Sequence, residues 1–230
     1  MHRAYTPRDS HALNYDLVSR PAVLDALKAA AAIGITGPQL WVVPKGTRVW
    51  RFSDEKSAVG GGGETDRMRW KLSPWWFPDS TYQAIVAHAA HYFHVEQAQV
   101  TPFQFASTAR KDLAVWFNWN DMNVLMGATL KEDTIVLGGE GGRIPLQEQF
   151  VGKADAEKYQ ALRVSAILPR IGALQFHVPG IGYSKHPLLD LPATVREERY
   201  WSMFGQTFTA RLSAPVNRAK LGLPANFRTG

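Results

Sequence analysis

Between Ser19 and Pro38 the apolar residues come at helical density. The segment "SRPAVLDALKAAAAIGITGP" predicts a helix with Ser19 as its cap, Pro21 in its first turn and Gly34 or Gly37 at its end. The period then shortens. Gln39 to Val43 and Thr47 to Ser53 read as two strands joined by a Pro-Lys-Gly turn. In the second strand Val49 and Arg51 share one face and Trp50 and Phe52 the other, so an arginine points the same way as a valine, inward or into a cleft. The four glycines of "VGGGGETDRMRW" hold no regular element and predict a loop. Arg69 to Ser73 reads as a short strand leading into "PWWF".

A helix follows in "DSTYQAIVAHAAHYFHVEQ". Ser80 and Gln83 have capping-box spacing, and Tyr82, Ile85, Val86 and Ala89 form an apolar stripe. "TPFQFAST" reads as a strand and "ARKDLAVWFNW" as a helix. Two strands are expected at Val124 to Leu130 and Thr134 to Leu137, then a glycine-rich turn and a third strand around Leu146 to Val151. "ADAEKYQAL" reads as a short helix and "TVREERYWSMFG" as another, ending at Gly205. With no internal repeat and no linker, this order predicts a single α+β domain whose strands are mainly antiparallel.

Composition narrows the chemistry. The chain has 230 residues, 45% of them hydrophobic and 20% charged, enough for a substantial core. It has no Cys, which excludes disulfides, thiolate nucleophiles and Cys-ligated zinc. The net charge of +6 favours anionic ligands, but no run of five or more Lys and Arg forms a polybasic arm for nucleic acid. The opening "MHRAYTPRDSHALNYDL" lacks the apolar core of a signal peptide, and no apolar run reaches the ~20 residues that span a bilayer. The expectation is a soluble cytoplasmic protein, or one delivered into a target cell without a signal peptide.

Several constellations could carry chemistry. His88, His91 and His94 lie on one helix, but without the two-His, four-residue spacing and adjacent Glu of a helical zinc site, so no metal is expected. There is no Gly-x-Ser-x-Gly elbow. Glu148 stands in a polar triplet, "QEQ", inside an apolar strand context; it is either a solvated edge or a residue kept for use. Trp75, Trp76 and Phe77 are either a packed corner of the core or an aromatic wall for something flat.

Three features lie in order along the chain: Arg51 in "KGTRVWRF", Ser73 in "KLSPWWF", and Gln147, Glu148 and Gln149 in "GGEGGRIPLQEQF". This order resembles the arginine, serine, glutamine-or-glutamate scheme of the ADP-ribosyltransferase-like bacterial toxin superfamily. "VPKGTRVWRFSDE" is similar to the first motif of the tuberculosis-necrotizing-toxin type of NAD glycohydrolase and related polymorphic toxin domains. There, too, a Pro-x-Gly-Thr turn precedes the arginine strand. "TLKEDTIVLGGEGGRIPLQ" resembles their final segment. The resemblance spans about Gln39 to Val151. It leaves two serine positions, Ser73 and Ser107 of "FAST". It also leaves Gln147 and Glu148 as rivals for the third motif, because Gln-Glu-Gln departs from the usual Glu-x-Glu or Gln-x-Glu spacing.

What the resemblance implies is specific. The fold would be an α+β, ADP-ribosyltransferase-like split antiparallel β-sandwich with flanking helices. Residues 1–38 would be an N-terminal helical part, 39–152 the NAD-binding core and 153–230 a C-terminal extension. NAD would be the substrate, cleaved at its nicotinamide–ribose bond by an ADP-ribosyltransferase or an NAD glycohydrolase. Glutamate in the third motif favours transfer to a protein or nucleic acid, and glutamine favours hydrolysis. A bacterial effector setting implies an immunity protein as partner. Arg51 would hold the pyrophosphate, Ser73 or Ser107 would orient the arginine's neighbours or the ribose, and Gln147 or Glu148 would position the ribose 2′-hydroxyl. Trp75, Trp76 and Phe77 would face the nicotinamide. The rival readings are a non-catalytic protein-interaction module, which would use the aromatics as a binding patch, and an RNA-acting toxin, suggested by the positive charge and the seven His.

Overall fold

The period-two runs of Val, Trp, Leu and Phe pair into an antiparallel sheet, and helices cover it. The structure is a computed structural model that describes residues 2–53, 74–113, 115, 122, 124–142, 144–145, 153–161, 166–167, 173–180 and 204–211. In chain order the elements are β1 (Arg3–Ala4), α1 (Tyr15–Val18), α2 (Pro21–Ala31), β2 (Gln39–Val43), β3 (Arg48–Ser53), β4 (Trp75–Pro78), α3 (Asp79–Phe93), α4 (Pro102–Asp112), β5 (Val124–Leu130), β6 (Thr134–Glu140), β7 (Ile144–Pro145), α5 (Lys153–Ala161), β8 (Ala166–Ile167), β9 (Leu174–His177) and β10 (Phe204–Arg211). Eight strands form one sheet in the order β1-β2-β6-β9-β4-β3-β5-β10, and β7 pairs with β8 apart from it. Each pairing is antiparallel. The chain is therefore α+β with an antiparallel sheet. Among the described residues no helix is long and apolar enough to cross a membrane.

β2 and β3 are joined by the expected Pro-Lys-Gly turn, yet they do not pair with each other. Val43 faces Thr134 of β6, and Arg48 faces Thr129 of β5. The ribbon β2–β6 thus continues as β3–β5 across a corner. Backbone bonds tie the two sides of that corner: Gly46 N to Leu130 O at 2.7 Å and Leu130 N to Thr47 O at 3.0 Å. The Asp133 carboxylate also accepts from Lys45 N at 2.9 Å. Gly46 sits at φ +82°, where a side chain is strained. One core cluster gathers Val43, Val136 and Phe176 with Val49, Ala128 and Leu130 around Trp76, and α2 adds Val23, Leu27 and Ala31. A second holds Trp50, Phe52, Phe77 and Leu125 under Ile85 of α3 and Phe105 and Ala109 of α4.

Several local expectations are corrected. The cap position of α2 is Arg20, because Ser19 already closes the short α1. Pro78 ends β4 and caps α3 without a side-chain bond, so Ser80 falls inside the first turn instead of capping it. "TPFQFAST" is the start of α4, not a strand. Thr101 accepts from Gln104 N, the Gln104 side chain accepts from Thr101 N, and Pro102 occupies the first turn. That capping box outweighs the alternation of Phe103 and Phe105. Gly138 and Gly139 belong to β6 and are not a turn. A Cβ at Gly138 would overlap the Trp41 ring, and one at Gly139 would sit 2.6 Å from Ile35 Cγ2. Phe204 and Gly205 lie in β10, where a helix end was expected. The strands expected at 69–73 and 146–151 lie outside the described residues.

Candidate functional site

Alternation along β3 sends Arg51 to the face that carries Val49, while Trp50 and Phe52 enter the other core cluster. Arg51 is only 6% exposed. Its guanidinium lies 5.6 Å from the centroid of the Trp76 ring, a cation–π arrangement. Nε makes one long bond to Phe52 O at 3.4 Å, and Nη1 is buried with no hydrogen-bond partner. No ion pair to a carboxylate is found for it among the described residues. Burial pushes its pKa down to about 9, so at neutral pH the group still carries its charge. A buried, unneutralised cation with a free donor arm is costly unless an anion completes it.

Trp76 is placed by β4, the strand that stitches the sheet together. Trp75 and Trp76 pair with His177 and Phe176 of β9, whereas Phe77 and Pro78 pair with Trp50 and Val49 of β3. The strand period divides the three aromatics. Trp76, fully buried, faces Arg51. Trp75 and Phe77 point to the opposite side. Trp75 lies against Gly34 and edge-on to the His177 ring at 5.0 Å, and Phe77 stacks on Phe52 at 5.8 Å. The three therefore do not form a single wall, and only Trp76 shares the face of Arg51. Ser107 is half-buried on α4, the helix that packs on the sheet face away from the Arg51 guanidinium. Ser73, Gln147, Glu148 and Gln149 lie outside the described residues.

Two further buried titratable groups carry no motif in the sequence. His177, buried on β9, has its pKa pushed down to about 4 by desolvation. The alternation of "LQFH" puts it on one face with Gln175, opposite Phe176, but polar residues at that period read as a solvated face; the sequence does not signal that both faces of β9 are buried. Asp112 is fully buried at the end of α4 and holds His88 Nδ1 at 2.8 Å, tying α3 to α4. The helix histidines do not act together. His88 takes this partner, His91 is exposed, and His94 closes α3 at φ 55°. Among the described residues no group of three or more His, Asp or Glu converges as a metal site. Compared with protein-family models, curated proteins and solved structures, the chain shows no match.

Proposed function

We propose that the chain is an ADP-ribosyltransferase-like toxin or effector domain, a split antiparallel β-sandwich that cleaves the nicotinamide–ribose bond of NAD. The observation that carries this reading is Arg51, a buried cation with no counter-ion among the described residues, seated on Trp76; the resemblance would give the arginine motif the task of holding the dinucleotide. A planar fork of donors in a low-dielectric setting suits a bidentate hold on a pyrophosphate, and Trp76 fixes the plane of that fork. Breaking the bond builds positive charge on the ribose, as in glycoside cleavage. Glu148 or Gln147 would position the 2′-hydroxyl, Glu148 would stabilise the developing charge, and Ser73 would orient the ribose. Released ADP-ribose passes to water, or to a protein or nucleic-acid acceptor. An immunity protein would cover this site in the producing cell.

The test is to incubate the purified protein with NAD, with and without cell lysate, and measure free nicotinamide. Nicotinamide release that disappears in Arg51→Met supports the reading. No loss of NAD under either condition, or full activity in Arg51→Met, overturns it. Labelled NAD then shows whether ADP-ribose ends on a macromolecule or free.

A further inference from the structure

Away from Arg51, at the other end of the sheet, a second feature is built for a planar ring. Trp41 of β2 is half-buried and lies flat on β6, because Gly138 leaves out the Cβ that would overlap its ring. The edge of Phe176 borders it at 6.2 Å with an interplanar angle of 87°. The outer face of the indole is taken by the imidazole of His2, with centroids 3.9 Å apart and planes 22° from parallel. His2 also presents to Phe176 at 6.2 Å, edge to face.

We infer that Trp41 is a stacking site for an uncharged purine ring and that His2 occupies it as an intramolecular cap. The class follows from what already sits there. The resident ring is a nitrogen heterocycle, the platform is a bicyclic indole larger than it, and a purine is an imidazole fused to a second ring. Burial lowers the His2 pKa from its ordinary range, so at neutral pH the ring on Trp41 is uncharged. The cap is held lightly. β1 is a two-residue strand at the sheet edge, with Arg3 opposite Val42 and Ala4 opposite Trp41, and both of its residues are exposed. Edge segments with so few backbone bonds open at small cost compared with the core. The Arg3–Asp9 ion pair and the bond from Tyr5 N to Leu40 O at 3.0 Å anchor the chain behind the ring, so the cap can swing without releasing the segment. This inference does not depend on NAD cleavage, since it concerns base stacking four strands away from β3 in the sheet order.

Isothermal titration of the full chain with adenosine monophosphate tests it. His2→Ala should bind about three- to tenfold more tightly than the unaltered chain, the gain expected when a competing ring stack is removed. Trp41→Leu in the His2→Ala background should abolish binding. Gly138→Ala should abolish it too while keeping the indole, which covers the case in which Trp41→Leu fails to fold. Equal affinity of His2→Ala and the unaltered chain overturns the proposal. So does binding that survives Trp41→Leu or Gly138→Ala, absence of binding throughout, or a preference for nicotinamide mononucleotide, whose ring is cationic.

Discussion

Arg51 sets up an opposition between stability and binding. Desolvation lowers its folded pKa to about 9, well below the ordinary arginine range, and among the described residues no neighbouring carboxylate offsets that cost. The unfolded chain therefore binds more protons from about pH 9 up to the ordinary arginine range, and stability rises with pH across that window. Arg51→Met removes the charge and leaves an apolar side chain of similar length in the core, so it should stabilise the protein, by up to about 4 kcal/mol in chemical denaturation. The same variant should lose pyrophosphate binding entirely. A variant that is both less stable and still binds pyrophosphate would contradict the assignment of Arg51 to an anion. His177 gives a second prediction with the same pH sense in a lower window. Its pKa falls to about 4 in the fold against 6.5 when unfolded, so stability drops as pH falls through that window. The loss should approach about 3 kcal/mol at pH 4, and His177→Phe should flatten that part of the stability–pH curve.

At the scale of elements, caps and alternation explain most of the local structure. Thr101→Ala removes the reciprocal cap of α4 and should cost about 1 kcal/mol in thermal or urea unfolding. Ser80→Ala, which changes no cap bond of α3, should cost far less. β2 and β5 keep the bounds their alternation predicts, and α2 begins at Pro21 as its proline predicts. Phe103 and Phe105 alternate like a strand, while the Thr-Pro-x-Gln box, equally visible in the sequence, starts the helix α4. The sequence of β4 carries no signal of which ring faces which side. A run of Trp, Trp, Phe and Pro has no polar position to mark a face, so only its two partners, β9 on one half and β3 on the other, decide which ring meets Arg51.

Across the whole molecule the corner between the β2–β6 and β3–β5 ribbons places Arg51 and Trp76 on the face that builds the main core cluster. Gly46 permits that corner at φ +82°, so Gly46→Ala should destabilise the fold by about 1–2 kcal/mol through left-handed strain, measured by denaturant unfolding. Asn14 joins distant parts of the fold: fully buried, it donates to Ile135 O at 2.7 Å and Pro179 O at 3.2 Å and accepts from Ile135 N at 2.9 Å. Asn14→Leu leaves those groups unpaired and should cost about 2–5 kcal/mol, since each orphaned buried group carries its own desolvation penalty. Nothing in the residues around Asn14 announces this role, because its partners lie 121 and 165 positions away.

The sequence by itself determined the α+β class, the positions of β2, β3, β5, β6, α2, α3 and α5, and the face of β3 that carries Arg51. These depend on short-range periodicity, and neighbouring residues suffice to express it. The tertiary structure alone decided that consecutive strands turn a corner instead of forming hairpins, that the glycines of β6 serve to seat Trp41 and Ile35, and that Trp76 is the aromatic partner of Arg51. It also decided that this guanidinium is buried with no counter-ion among the described residues. Such outcomes depend on which distant segments share a neighbourhood, and burial and charge compensation are properties of that neighbourhood rather than of any stretch of chain.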